Sequence, residues 1–109
     1  MLDIKRTKKE IVHYLHNIDA IKVILFGSYA YGVPNENSDL DICIVKEKII
    51  SKIKEKREIR ELLKDIKIPK DILVVDEAYF HTHSDENWIN TALYDVKNRG
   101  EILYEKRRD

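Results

Sequence analysis

Two carboxylates stand one residue apart at the start of an apolar run. Asp39 and Asp41 lead into residues 42–45, which are all apolar, and this pattern predicts a strand. Alternate side chains of a strand share a face, so Asp39 and Asp41 are expected to project together. Two carboxylates held side by side repel each other unless a cation lies between them. Oxygen ligands of this kind suit a hard ion such as Mg²⁺, which proteins commonly share with phosphates.

The residues before this pair indicate a site for those phosphates. An apolar run over residues 23–26 ends in Gly27 and Ser28, and ten residues connect Ser28 to Asp39. Because Gly27 has no side chain, backbone N–H groups there can approach an anion closely, and the Ser28 hydroxyl adds a donor. The segment 29–32 is expected to form a short helix whose N-terminal N–H groups point at the bound phosphates.

Hydrophobic periodicity predicts the elements that must hold these residues in place. Strands are predicted at 21–26, 39–45, 70–76 and 101–104. Helices are predicted from a capping box at Thr7 to residues 17–19, within residues 46–67, and from an N-cap at Ser84, through Trp88, to a stop at Gly100. His81 and His83 are expected to lie in a loop without binding metal. These elements indicate an α/β fold, with a small mixed sheet and helices packed mainly on one face.

Length and composition limit the classes of protein to consider. The 109 residues are expected to form one domain over 1–109, and a 43% hydrophobic content can supply a small core. Charged residues make up 37% of the chain and balance to a net charge of zero, so no overall attraction to nucleic acid or membrane is expected. The single cysteine, Cys43, lies in an apolar strand and is expected to be a core residue. No apolar run approaches the ~20 residues that span a bilayer, and a cytoplasmic location is expected.

The third predicted strand also carries carboxylates, one near each end. Asp71 shares a face with Leu73 and Val75, and a carboxylate on an apolar strand is costly to bury without partners. A neighbouring metal site would offset that cost. Asp76 ends the same strand and is the second candidate, although it belongs more simply to the turn that follows.

The pattern of Gly27-Ser28, ten residues, and Asp39-x-Asp41 resembles the signature of the DNA polymerase β-like nucleotidyltransferase superfamily. The short chain is similar to the minimal nucleotidyltransferase (MNT) branch, and the resemblance covers nearly the whole chain. Many relatives carry arginines just after the Gly-Ser, whereas this chain has Tyr29 and Tyr31.

The resemblance implies the roles of the site residues. Asp39 and Asp41 would hold two Mg²⁺ ions, and Asp71, which best matches the third acidic residue of the family, would complete the second metal site and accept a proton. Gly27 and Ser28 would anchor the β- and γ-phosphates. The implied reaction is the transfer of AMP from ATP to a hydroxyl group.

The resemblance also implies a partner. MNT proteins of this size resemble antitoxins paired with HEPN-domain ribonuclease toxins, with AMP transferred to a toxin tyrosine and an oligomer formed with the partner. Two alternatives remain open at this stage. The acceptor could be a small-molecule alcohol such as an aminoglycoside, or the chain could neutralise its partner by contact alone.

Overall fold

A four-stranded mixed sheet forms the centre of the computed structural model, which describes residues 2–88 and 91–107. The strands are β1 (Ala20–Phe26), β2 (Leu40–Lys46), β3 (Lys70–Asp76) and β4 (Glu101–Glu105). Their order in the sheet is β3-β2-β1-β4, with β2 and β3 parallel and the other two pairs antiparallel. The predicted mixed sheet is therefore confirmed, and β4 lies at its edge as expected.

Five helices and one 3₁₀ turn surround the sheet in the described part of the chain. They are α1 (Ile4–Leu15), α2 (Ser28–Tyr31), α3 (Lys52–Leu62), α4 (Glu77–Thr82), the 3₁₀ turn (Glu86–Trp88) and α5 (Ala92–Arg99). The α/β class is confirmed. The prediction that the helices pack mainly on one face is wrong, since α1 and α3 pack on one face of the sheet and the shorter α4 and α5 cover the other.

Two buried clusters fill the spaces between the sheet and these helices. The first joins Ile11 of α1 and Ile59 of α3 to the sheet residues Leu25, Ile42 and Ile72. The second cluster joins α4 and α5 to the opposite sheet face and consists of Ile24, Phe26, Cys43, Val45, Val75, Phe80, Leu93 and Val96. Burial raises the pKa of the Cys43 thiol to about 12, which keeps it protonated as expected for a core residue.

The first helix begins earlier than the capping box at Thr7 predicts. The Asp3 side chain caps α1 by accepting a hydrogen bond from the Arg6 N–H at 3.3 Å. Thr7 is buried inside the helix, and its hydroxyl donates to the Asp3 carbonyl at 2.9 Å. The prediction was wrong because the sequence offers two capping residues four apart, and the earlier one is used.

The helix predicted within residues 46–67 is shorter than that range. The strand β2 continues through Lys46, and α3 begins after Ser51, whose side chain accepts from the Lys54 N–H at 3.3 Å. The helix then ends at Leu62, and buried Ile66 lies beyond it. The apolar pattern did not mark the helix ends.

The predicted N-cap at Ser84 is also wrong. Ser84 is buried, and its hydroxyl donates to the Phe80 carbonyl at the end of α4, a helix that was not predicted. The cap of α5 is Thr91, which accepts from the Tyr94 N–H at 3.3 Å, and Trp88 lies before that helix in the 3₁₀ turn. The predicted helix also included residues 89 and 90, which lie outside the described residues.

Candidate active site

Asp41 and Asp71 lie side by side on neighbouring parallel strands. They are direct partners in the register of β2 and β3, and such partners are about 4.8 Å apart across a sheet. A hydrogen bond of 2.9 Å from the Leu40 N–H to the Pro69 carbonyl ties the two strand starts together. The sheet register therefore brings together two of the three predicted carboxylates.

Gly27 lies directly against the Asp41 carboxylate. It follows β1, whose last residue, Phe26, pairs with Asp41. A Cβ atom at Gly27 would overlap Asp41 Oδ2. Gly27 also has a φ of 75°, a backbone conformation that residues with a side chain rarely adopt. Glycine is therefore required where the predicted phosphate turn meets the predicted metal carboxylate.

These carboxylates lie at one end of the sheet face that carries the second cluster. Asp41 shares its face with Cys43 and Val45, and Asp71 shares its face with Leu73 and Val75, as alternation along each strand requires. Asp41 is half-buried and Asp71 is exposed. The buried residues of the second cluster therefore lie next to the carboxylates, and the exposed side of the carboxylates is open to a ligand.

Asp39 stands just outside this pair. It precedes β2, is exposed, and lies near enough to Asp41 for its charge to affect that residue. The turn before it is held by side-chain contacts, with Asn35 N–H donating to Ser38 Oγ at 2.9 Å and Asn37 N–H donating to Asn35 Oδ1 at 2.8 Å. This turn fixes where the chain enters β2.

The electrostatics of the site favour a bound cation. The pKa of Asp41 is raised from 3.8 to about 6, first by burial and then by the negative charges of Asp71 and Asp39. A positive charge placed beside this carboxylate would stabilise its ionised form. A divalent cation beside Asp41 would therefore relieve the repulsion from Asp71 and Asp39.

The donor set fits Mg²⁺ shared with a phosphate rather than a closed protein site. Within residues 2–88 and 91–107, no three His, Cys, Asp or Glu side chains converge closely enough to enclose a metal ion. Mg²⁺ needs less than that, since it is commonly held by one or two carboxylates together with substrate phosphates and water. Asp41 and Asp71 meet this requirement, with Asp39 next to them.

The short helix α2 begins directly after Gly27. The N–H groups of Ala30 and Tyr31 donate to the Gly27 carbonyl at 3.0 and 3.1 Å. The N–H groups of Ser28 and Tyr29 come before these and have no acceptor within the helix, as in the first turn of any helix. They lie beside Gly27, where backbone donors can meet an anion.

Asp76 has a different role from Asp71. Its side chain caps α4 by accepting a hydrogen bond from the Tyr79 N–H at 2.7 Å. It also lies at the far end of β3, where it pairs with Lys46. Asp76 thus has a structural role as the cap of α4, and Asp71 remains the predicted third carboxylate of the site.

The sequence did not reveal an aromatic cavity on the same face as Asp71. Its volume is about 250 Å³, and it is lined by Lys52, Leu73, Val75, Tyr79, His83, Trp88, Thr91, Ala92 and Leu93. The His83 ring stacks on Tyr79, with ring centroids 3.8 Å apart, and is 4.4 Å from the Trp88 ring. Its aromatic residues come from α4 and the loop after it, so the cavity depends on a helix that hydrophobic periodicity missed.

Comparison with known sequences identifies relatives over nearly the full chain. A family model described as a nucleotidyltransferase domain matches residues 4–105. A protein of Methanocaldococcus jannaschii with the name "Putative protein adenylyltransferase" is 36% identical over 99 residues, which cover 89% of this chain and 91% of that protein.

Solved structures with a similar fold include toxin–antitoxin complexes. One, a toxin–antitoxin with AMP-PNP, has a chain that matches with a TM-score of 0.66 at 20% identity, over 92% of this chain and 74% of that chain. Another, the tri-AMPylated HEPN toxin of Shewanella oneidensis in complex with an MNT antitoxin, matches with a TM-score of 0.61 at 16% identity, over 94% of this chain and 72% of that chain. At these identities the likeness shows a shared fold.

Proposed function

The chain belongs to the nucleotidyltransferase domain family, and we propose that it transfers AMP from ATP to a hydroxyl group of a partner protein. Membership of this family implies a nucleoside triphosphate substrate and a divalent metal ion. The observation that carries the proposal is the in-register pair Asp41 and Asp71, with Asp41 placed against Gly27 at the turn into α2. The name of the M. jannaschii relative supports a protein as the acceptor.

Each site residue has a role in this reaction. Asp39 and Asp41 would hold two Mg²⁺ ions, and Asp71 would complete the second metal site. When bound, the ions neutralise charge on the triphosphate and on the leaving pyrophosphate, and they lower the pKa of the attacking hydroxyl. Gly27 and Ser28 anchor the β- and γ-phosphates through N–H and O–H donors.

The reaction breaks a phosphoanhydride linkage of ATP and forms a phosphodiester with the acceptor. The acceptor oxygen forms a bond to the α-phosphorus. The bond between that phosphorus and the oxygen that links it to the β-phosphorus breaks. Pyrophosphate leaves with the bridging oxygen, and AMP stays on the acceptor. Asp71 accepts the hydroxyl proton, since it lies exposed beside Asp41 at the open side of the site.

The acceptor we propose is a tyrosine of a HEPN-domain toxin, with this chain as the antitoxin in an oligomer with its partner. The support is the fold shared with the MNT antitoxin that is solved with a tri-AMPylated HEPN toxin. A small-molecule alcohol is the alternative acceptor, and neutralisation by contact is the alternative to catalysis. The three clustered aspartates favour catalysis, because a contact inhibitor has no need of charges that repel one another.

Labelled ATP tests the reaction type. With Mg²⁺ and a HEPN-domain partner, label on the α-phosphate should pass to the partner, whereas label on the γ-phosphate should leave with pyrophosphate. The Asp41→Asn variant is the matched control and should transfer neither label. Transfer of γ-label would indicate a kinase reaction, and transfer of no label by the unaltered chain would exclude AMP transfer to that partner.

Two further expectations stay predictions. The chain is predicted to act as one domain over residues 1–109 and to work in the cytoplasm. The helices in residues 2–88 and 91–107 are all too short or too polar to cross a membrane.

A further inference from the structure

We propose that Arg99 binds the triphosphate of the nucleotide and supplies the cation that α2 lacks. This inference rests on the proposed function, since it concerns the same site. The residues that follow Gly27-Ser28 are Tyr29, Ala30 and Tyr31, none of which carries a positive charge. In the fold, the guanidinium of Arg99 lies over the Tyr31 ring, 4.0 Å from its centroid.

The sheet register brings Arg99 to this place from the far end of the chain. Glu101 of β4 pairs with Leu25 of β1, and the two strands are antiparallel. The chain from Glu101 back to Arg99 therefore runs alongside the end of β1, from Leu25 toward Gly27. A Cβ at Gly100 would overlap Ile24, so the chain between α5 and β4 packs directly on β1.

Arg99 also approaches the side of the sheet that carries the carboxylates. Tyr31 packs against the second buried cluster, whose face of the sheet ends in Asp41 and Asp71. A guanidinium stacked on Tyr31 is therefore placed on the same side as the metal site and beside the helix that begins at Ser28. Both halves of the nucleotide site then lie on one face.

The charge of Arg99 is available to a ligand. Arg99 is exposed, and the six ion pairs among the described residues do not include it. An aromatic face attracts a guanidinium without neutralising it or using its in-plane N–H donors. Those donors form a planar fork that matches phosphate oxygens. Tyr31 thus holds the guanidinium in place and leaves its donors free for an anion.

The site requires such a cation. A triphosphate brings several negative charges to a site that already contains three aspartates. Metal ions offset part of this charge between the carboxylates and the phosphates. A guanidinium at Tyr31 would offset more of the negative charge of the triphosphate, on the side of α2 and away from the metal.

Calorimetry on Arg99→Gln tests the proposal. With Mg²⁺ present, ATP should bind about tenfold to a hundredfold more weakly to this variant, because a hydrogen-bonded charge is lost. AMP has no β- or γ-phosphate, so its affinity should not change. Lys97→Gln is the matched control, since Lys97 is an exposed cation in the last turn of the same helix, and its ATP affinity should stay the same.

A second variant moves the cation to α2 itself. Tyr31→Arg combined with Arg99→Gln should regain most of the ATP affinity that Arg99→Gln loses. A thermal melt of each variant checks that the fold is kept. This rescue distinguishes phosphate binding from a role of Arg99 in holding α5, because Tyr31→Arg cannot restore the stacked pair.

Four outcomes would overturn the inference. Unchanged ATP affinity in Arg99→Gln would show that Arg99 does not bind the phosphates. An equal loss for ATP and AMP, or a failed rescue by Tyr31→Arg, would assign Arg99 a structural role. If the unaltered chain binds no ATP in the presence of Mg²⁺, the proposed function fails and this inference fails with it, which is a different result from an effect confined to Arg99.

Discussion

Gly27 and Asp41 constrain each other at the centre of the proposed site. The backbone of Gly27 has a φ of 75°, and its open side is occupied by the Asp41 carboxylate. This contact fixes the carboxylate at the turn where the phosphates are proposed to bind. Both the backbone conformation and the close approach depend on the absence of a side chain.

Gly27→Ala should therefore damage stability and activity together. The added Cβ meets Asp41 Oδ2 and strains the backbone, at a cost of about 1–3 kcal/mol in the free energy of unfolding. Urea unfolding and an AMP-transfer assay measure the two effects. Ser28→Ala is the neighbouring control, which should lower ATP affinity while leaving the unfolding midpoint nearly unchanged. Normal stability in Gly27→Ala would contradict the geometry described.

The raised pKa of Asp41 predicts a pH-dependent penalty in the metal-free protein. Below about pH 4 this carboxyl is protonated in both the folded and the unfolded chain, so it costs the folded state nothing. As the pH rises toward about 6, the unfolded chain ionises first, and the folded state becomes less stable. The penalty is complete above that pH, where Mg²⁺ should relieve it.

Asp41→Asn should remove this pH dependence. In EDTA, the variant should be more stable than the unaltered chain at pH 7, and the difference should shrink as the pH falls from about 6 to 4. Urea midpoints of both proteins across this range provide the measurement. A difference that does not vary with pH would mean that Asp41 carries no uncompensated charge.

At the scale of elements, β3 separates two aspartates with different roles. Asp71 lies near its start, paired with Asp41, and Asp76 lies at its end, where it caps α4. Asp76→Ala should lower the free energy of unfolding by about 1 kcal/mol and leave AMP transfer unchanged. Asp71→Ala should abolish AMP transfer and leave the free energy of unfolding nearly unchanged, because Asp71 is exposed and has a proposed catalytic role. If Asp76→Ala abolished transfer in a folded protein, the assignment of the third carboxylate would be wrong.

The strands were easier to predict than the helix ends. The range 70–76 was predicted without error, and the other three strands were predicted to within one residue at each end, because apolar runs bounded by turns leave little choice of position. Helix starts were less certain, since several Ser, Thr and Asp residues precede each apolar pattern and any of them can cap. Burial decides between them: Thr7 and Ser84 lie inside the fold, whereas Asp3 and Thr91 cap.

The proposed site was predicted from residues that are close in sequence, and its phosphate and metal roles stay predictions. The spacing of Gly27, Ser28, Asp39 and Asp41 was enough to predict a phosphate and metal site. The contact between Tyr31 and Arg99 was not predictable, because it depends on how β4 pairs with β1. The same is true of the aromatic cavity, which depends on α4 and the turn after it.

At the scale of the whole molecule, the chain has 20 basic and 20 acidic residues and no formal net charge. Such a chain has no general electrostatic attraction for a polyanion, so recognition of ATP depends on the site itself. We propose that the fold described above carries out the chemistry and that a partner protein supplies the hydroxyl.

The intact mass of a HEPN-domain partner that binds this chain tests that claim most directly. With ATP, Mg²⁺ and a substoichiometric amount of the chain, the partner should gain about 329 Da for each AMP and stay inactive after the chain is removed. The variant carrying both Asp39→Asn and Asp41→Asn should add no mass, although it can still bind. If the partner gains no mass, and the double variant neutralises it as well as the unaltered chain at every ratio, the chain acts by contact and the enzymatic account is contradicted.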